Sequence, residues 1–237
     1  MVMNPTQSLQ ELLNLSSPPI AIGFSDRPPV GLDKWQDGPK PAGCAFWREA
    51  MKGRSFYTEP ADHYNCAVGA YTHSIPLPAD RGSQLEDTVK FMVLKEYLRM
   101  EEVSGIPTLE KTPAYISYGP MEAASFRPDM VLIAAKPSAA MLIYETAVRS
   151  GAGATLTNVL GRPACAVVPL TSKTGLATLS LGCMGNRTFT GLPDEELYVC
   201  IPGNHWSVLL SKLTEIGKAN SEMRQFYQNH QAQFTTA

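Results

Sequence analysis

The apolar positions of the chain change period several times, and each change marks an element. Behind Asn4-Pro5, an N-cap followed by a proline at the first helical position, Leu9, Leu12 and Leu13 recur at helical spacing, which predicts an opening helix ending near Ser16. The β-branched run in "PPIAIGFSD" predicts a buried strand at 19–24, and the proline- and glycine-rich "RPPVGLDKWQDGPKPAG" after it predicts a surface loop. In "CAFWREAMKGR", Phe46, Trp47 and Met51 fall on one side of a short helix with Cys44 in its first turn. "SFYTEP" reads as a strand, and "DHYNCAVGAYTHS" as a turn into a short helix with Cys66 near its start. Leu85, Val89, Met92, Val93 and Tyr97 form one apolar stripe opposite Glu86, Asp87 and Lys90, so residues 85–101 read as an amphipathic helix. "PAYISYGP" is a strand at 113–120 that Pro120 stops.

The pattern then repeats itself. "PDMVLIAAKPSAAMLIYETAVRSG" from Pro128 and "PDEELYVCIPGNHWSVLLSKLTEIG" from Pro193 each give Pro-Asp, a strand, a proline nine positions on, and an amphipathic helix ending at Gly151 or Gly217. Two such units favour an α/β (mixed α+β) fold whose sheet is built partly from the repeated strand-turn-helix units, with helices packed on it. Between the units, "RPACAVVPL" reads as a strand beginning at Cys165, "TSKTGLATLSLG" as hairpin-like, and "SLGCMGNR" as a loop carrying Cys183. Asn204, before His205, reads as the N-cap of the second unit's helix, and a separate polar helix over 219–233 covers one face. No linker interrupts the chain, so residues 1–237 are read as a single domain with 219–237 as its C-terminal helix and tail.

Charge narrows the partners. The net charge is −2 and the 20 Lys and Arg residues are scattered, which supports neither a nucleic-acid footprint nor a polybasic membrane patch. The start has no basic region followed by an apolar run, and no segment approaches the ~18 apolar residues of a spanning helix. The expectation is a cytoplasmic protein with no membrane and no nucleic acid among its partners. A small molecule, anionic in the sharpest form of the reading, or a redox partner protein is expected instead, and a homo-oligomer stays open.

The five cysteines carry the chemistry. Without an export signal they read as thiols, metal ligands or core residues rather than disulfides. No CxxC occurs, so a metal site has to be assembled from distant segments: Cys44, Cys66, Cys165 and Cys183 lie at the ends of elements, whereas Cys200 lies inside "ELYVCIP". Each is equally explained as an ordinary buried cysteine, and the residues alone leave both readings open. In "SLGCMGNR", Gly182 and Gly185 let the backbone turn N–H groups toward a thiolate, and Arg187 can balance charge or hold an acidic substrate; the plain alternative is a turn with a solvated arginine. His63, three residues before Cys66, can ligate or relay protons, and His73 can share its face. "GAGATL" at 151–156 lacks the register of a dinucleotide fingerprint, and no GxSxG, Walker or HExxH pattern is present.

The order "CAFWREA", "FYTEPADHYNCAVGA", "PDMVLIAAKPSAAM", "CAVVPL" and "LSLGCMGNR…TGLPDEELYVCIP" resembles the prokaryotic domain-of-unknown-function family 169 over residues 18–217. The resemblance implies an α/β protein in which Cys44, Cys66, Cys165 and Cys183 match recurring cysteine positions and Cys200 does not. It favours one shared four-cysteine site, expected to bind a 4Fe-4S cluster as an oxidoreductase centre. With one iron open, the cluster is instead expected to act as a Lewis acid for adding or removing water or sulfide in a lyase or desulfurase, with His63 as proton donor and Arg187 as anion clamp. Two alternatives from other classes are a metal-independent enzyme with Cys183 as nucleophile and His63 or His73 as base, and an accessory protein that carries a cofactor or metal without turnover.

Overall fold

A computed structural model describes residues 5–152 and 159–234. The strands are β1 (Ile20–Ser25), β2 (Phe56–Thr58), β3 (Tyr115–Pro120), β4 (Met130–Ala135), β5 (Val159–Leu160), β6 (Thr178–Ser180) and β7 (Leu197–Pro202). They form one seven-stranded sheet in the order β2-β3-β1-β4-β7-β6-β5. All neighbours pair antiparallel except β5 and β6. The helices are α1 (Pro5–Leu13), α2 (Ala45–Met51), α3 (Ala67–Thr72), α4 (Ser83–Leu94), α5 (Met100–Val103), α6 (Pro137–Ala147), α7 (Val167–Thr174), α8 (Met184–Thr190) and α9 (Trp206–Phe234).

Strand alternation sorts the core into two layers. β4 is buried at every position, as a central strand covered on both faces must be. Val131, Ile133 and Ala135, with Val199 and Ile201 of β7, face α1, α6 and α9 through Leu9, Ala139, Ile143, Leu209 and Leu213. Leu132 and Ala134, with Tyr198 and Cys200, face the opposite layer, where Phe46, Trp47, Val167 and Val168 cover them. Of the four cysteines set apart from Cys200 above, Cys44 and Cys165 are buried in this second layer and Cys66 packs against it.

Both repeated units deliver a strand followed by a helix. β4 pairs with β7 from Met130↔Pro202 to Ala135↔Leu197, and α6 and α9 pack together on one face of that pair. The units therefore lie side by side and run in opposite directions. Their ends differ from the expectation. α6 stops at Ala147 and a π-turn follows over Val148–Ala152, while α9 continues through Gly217 to Phe234 as one helix of 29 residues. No separate helix begins at 219, because Gly217 meets only the end of the Leu12 side chain and is tolerated inside a helix. Asn204 lies in a 3-10 turn (Gly203–His205) ahead of α9.

Three further expectations are corrected. "RPACAVVPL" is not a strand: Ala164–Ala166 is a 3-10 turn that runs into α7. The valines are buried on the sheet, and Pro169 is tolerated because it falls in the first helical turn, where a backbone N–H has no partner within the helix. "TSKTGLATLSLG" is the end of α7, a left-handed Gly175 and β6, not a hairpin. The helix expected over 85–101 is broken between α4 and α5, with Glu96 at φ 56°. Asn4 and most of "GAGATL" lie outside the described residues. No described helix is long and apolar enough to cross a membrane.

Candidate thiol-lined site

Each of the four cysteines sits where a helix starts. Cys44 is the N-cap of α2, Cys66 of α3 and Cys183 of α8, and Cys165 occupies the 3-10 turn that leads into α7. α2 packs against α8, and α3 packs against the Ala164–Ala166 turn, so the four starts meet in the same place. All four thiols line one cavity of about 310 Å³. Cys200 shares the core layer with Cys44 and Cys165 but does not line the cavity.

Backbone N–H groups already point at two of the sulfurs. Cys66 Sγ accepts from Gly69 N at 3.3 Å and Cys183 Sγ accepts from Asn186 N at 3.4 Å, each thiol taking the place a serine or aspartate holds at an ordinary N-cap. A Cβ at Gly69 would lie 2.9 Å from Cys66 Sγ, so only glycine admits the sulfur there. Burial pushes the Cys44 thiol up to about 12, opposed by a hydrogen bond from the Asn186 amide and reinforced by the nearby Cys66 and Cys183. Burial also raises Cys66, against hydrogen bonds from the Gly43 and Gly69 backbone. Cys165 is raised well above the ordinary thiol range by burial and by the neighbouring Cys66, with Thr72 opposing. Empty of metal, these three are thiols at neutral pH, and ligation has to displace their protons.

"SLGCMGNR" divides between two roles. Gly182 has φ +78°, as a glycine turn requires, but Gly185 lies inside α8 and a Cβ there would meet nothing within 4 Å. The expected inward turn at Gly185 is therefore replaced by an open helical position on the cavity wall. Arg187 reaches back over the loop, donating to Pro193 O at 2.6 Å, Leu181 O at 2.7 Å and Glu196 O at 3.0 Å. Its guanidinium holds the loop by its carbonyls and does not line the cavity.

The histidines stand behind the thiol layer. His63 and His73 are 2 % and 4 % exposed, their rings stack at 6.2 Å, and neither lines the cavity. His63 Nε2 is 2.9 Å from Thr58 Oγ1, while His73 Nδ1 faces Gly69 O at 3.0 Å and Thr72 Oγ1 at 3.1 Å. Burial, with His73 beside it, lowers His63 to about 3, and burial lowers His73 to about 4. Both are neutral at pH 7, so His63 has only a neutral N–H to give.

Two residues at the cavity have no counterpart in the sequence reading. Arg162 lines it, stacked over Tyr97 at 4.7 Å and paired with Glu102 at 3.3 Å. Asn186 also lines it, 1 % exposed, with Nδ2 donating to Tyr198 OH at 3.4 Å. Asn186 stood inside a motif already singled out, and its place three residues after Cys183 was the available signal. Nothing local marks Arg162, whose partners come from 97 and 102.

Among the described residues, no group of three or more His, Cys, Asp or Glu side chains could hold a single metal ion.

The profile of DUF169, described as uncharacterised ArCR, matches residues 8–212, and the chain belongs to that family. It is 24 % identical over 230 residues to the uncharacterized protein MJ0308 of Methanocaldococcus jannaschii, covering 93 % of this chain and 94 % of that protein. No solved structure matches the chain significantly.

Proposed function

We propose that this DUF169 protein is an iron–sulfur protein that binds a 4Fe-4S cluster through Cys44, Cys66, Cys165 and Cys183. The observation that carries the reading is that four thiols from segments up to 139 positions apart, from Cys44 to Cys183, line one cavity while the fifth does not. Bound there, a cluster supplies one-electron redox chemistry or, with an iron left open, a Lewis acid.

The chain's own residues supply the surroundings. Gly69 N–H and Asn186 N–H already aim at Cys66 and Cys183 sulfur, and the Asn186 amide adds a hydrogen bond to Cys44; such donors tune a cluster's potential. Arg187 fixes the Cys183 loop from behind through three carbonyls. The remaining walls of the cavity are mainly apolar, and Cys66 and Cys183 are partly exposed. His63 and His73 stack on one another with His63 Nε2 against Thr58 Oγ1, and burial keeps both neutral, so neither supplies a charged acid.

The cysteine-nucleophile alternative is weaker, because no histidine lines the cavity to serve Cys183 as base. Anaerobic purification followed by absorption and electron paramagnetic resonance spectra tests the reading. A reducible cluster signal lost in Cys66→Ser supports it. A colourless protein that takes up no iron on reconstitution with ferrous iron and sulfide contradicts it.

A further inference from the structure

The four sulfurs meet different donors. Cys66 Sγ has Gly69 N–H, Cys183 Sγ has Asn186 N–H, and Cys44 has the Asn186 side-chain amide. Cys165 has a side-chain hydroxyl within hydrogen-bond reach, that of Thr72, because α3 packs against the Ala164–Ala166 turn. Thr72 is fully buried, and its Oγ1 lies 2.9 Å from Gly69 O and 3.1 Å from His73 Nδ1. His73 Nδ1 is in turn 3.0 Å from Gly69 O. One hydroxyl proton therefore stands among several partners, and His73 decides where it goes. The ring of His73 is neutral and buried, and its Nε2 has no hydrogen-bond partner among the described residues. A proton on Nε2 would be a donor buried with nothing to receive it, so the proton sits on Nδ1 and faces Gly69 O. The stack on His63 holds the ring in that place. With Gly69 O served by His73, the Thr72 proton is spare, and a thiolate, as a charged acceptor, draws it more strongly than a carbonyl already satisfied.

We propose that Thr72 is the hydrogen-bonding partner of the Cys165 sulfur, and that His73 is the positioning residue which, by donating to Gly69 O, frees the Thr72 proton for it. As a thiol, Cys165 donates its S–H to Thr72 Oγ1, whose own proton stays on Gly69 O. When Cys165 gives that proton to solvent and its sulfur bonds to iron, the Thr72 hydroxyl turns and donates to the thiolate. The inference rests on the cluster reading for this second state and on the geometry around α3 alone for the first. A donor on a ligand sulfur offsets negative charge, so it stabilises the reduced cluster and raises its potential. The plain alternative is a helical threonine bonded three residues back, with no bearing on the sulfur.

Infrared difference spectra against Cys165→Ser isolate the Cys165 S–H stretch in iron-free protein, and a dye-mediated redox titration gives the cluster midpoint after reconstitution with ferrous iron and sulfide. Thr72→Val, nearly the shape of threonine, is expected to move the S–H band to higher frequency and the midpoint to a more negative potential. Thr72→Ser, which keeps a hydroxyl, is expected to return both toward the wild type. His73→Leu is expected to leave the S–H band in place and lower the midpoint, because Gly69 O then keeps the Thr72 proton. His73→Asn, with an amide N–H near the position of Nδ1, is expected to restore it. Thr72→Ala replaces Thr72→Val if the valine does not fold, with circular dichroism as the check. An S–H band or a midpoint indifferent to loss of the Thr72 hydroxyl, a serine that behaves like valine, or a His73→Leu midpoint equal to that of the wild type overturns the proposal. A wild type that takes up no iron ends the cluster reading, and the S–H band then decides the Thr72 contact by itself: a shift in Thr72→Val sustains it and a fixed band overturns it.

Discussion

Acidification tests the burial of the histidine pair behind the thiols. Folding takes His63 from 6.5 to about 3 and His73 from 6.5 to about 4, so between pH 6.5 and 4 the unfolded chain holds up to two protons that the folded one refuses. The pair's contribution is therefore complete above pH 6.5 and is lost as pH falls through the two folded values. Two protons give a limiting slope of roughly 3 kcal/mol per pH unit; integrated, the loss is roughly 2 kcal/mol from pH 6.5 to 5.5 and roughly 2–3 kcal/mol more to pH 4.5. Carboxylates titrate in the lower part of that interval, so the comparison has to be internal. His63→Gln cannot take a proton and keeps an amide to reach Thr58 Oγ1, which His63 Nε2 meets at 2.9 Å. Urea unfolding followed by circular dichroism between pH 7 and 5 should show the wild-type slope cut by about half in this variant. Equal slopes in the two proteins would mean that His63 titrates normally and that its enclosure behind the thiol layer is wrong.

Other perturbations probe the site from different sides. Gly69→Ala drives a methyl toward Cys66 Sγ, 2.9 Å away, and iron retained after anaerobic purification should fall sharply while far-ultraviolet circular dichroism changes little. Gly182→Ala, forced to φ +78° with Leu192 and Arg187 atoms at 3.3–3.4 Å, should cost 1 kcal/mol or more. Gly185→Ala, helical and uncrowded, should gain about 0.4–1 kcal/mol, so the two alanines should shift Tm in opposite directions. Arg187→Ala frees three carbonyls and should destabilise by roughly 2–4 kcal/mol, read as a lower midpoint in urea, with iron content falling as the Cys183 loop loosens.

Much of the fold was legible because strand and helix periods are local properties. The repeated Pro128 and Pro193 units could be read as β4–α6 and β7–α9, since each has a fully apolar strand followed by a one-sided helix. The same logic misled at "CAVVPL", where valines buried by the sheet look like a strand and only a helix start accommodates Pro169. It also missed the break after Leu94, which positive φ at Glu96 makes without any glycine or proline to announce it. Places at element ends left the grouping of Cys44, Cys66, Cys165 and Cys183 open, and the family resemblance favoured it; the shape of the cavity could be read from neither. Arg162 enters through Tyr97 and Glu102, more than 55 positions away, and sequence spacing carries no trace of that contact. The anchoring of Arg187 was hidden because its three hydrogen bonds go to backbone carbonyls, which every residue has, with Asp194 only a looser partner at 3.7 Å.

Iron and acid-labile sulfide, counted per chain after anaerobic purification and reconstitution of the wild type and five single Cys→Ser variants, test the central claim most directly. The account predicts about four of each in the wild type and in Cys200→Ser, whose thiol is buried outside the cavity, and loss or conversion of the cluster in Cys44→Ser, Cys66→Ser, Cys165→Ser and Cys183→Ser. A wild-type protein without iron, or a Cys200→Ser variant that loses as much as the other four, would contradict it.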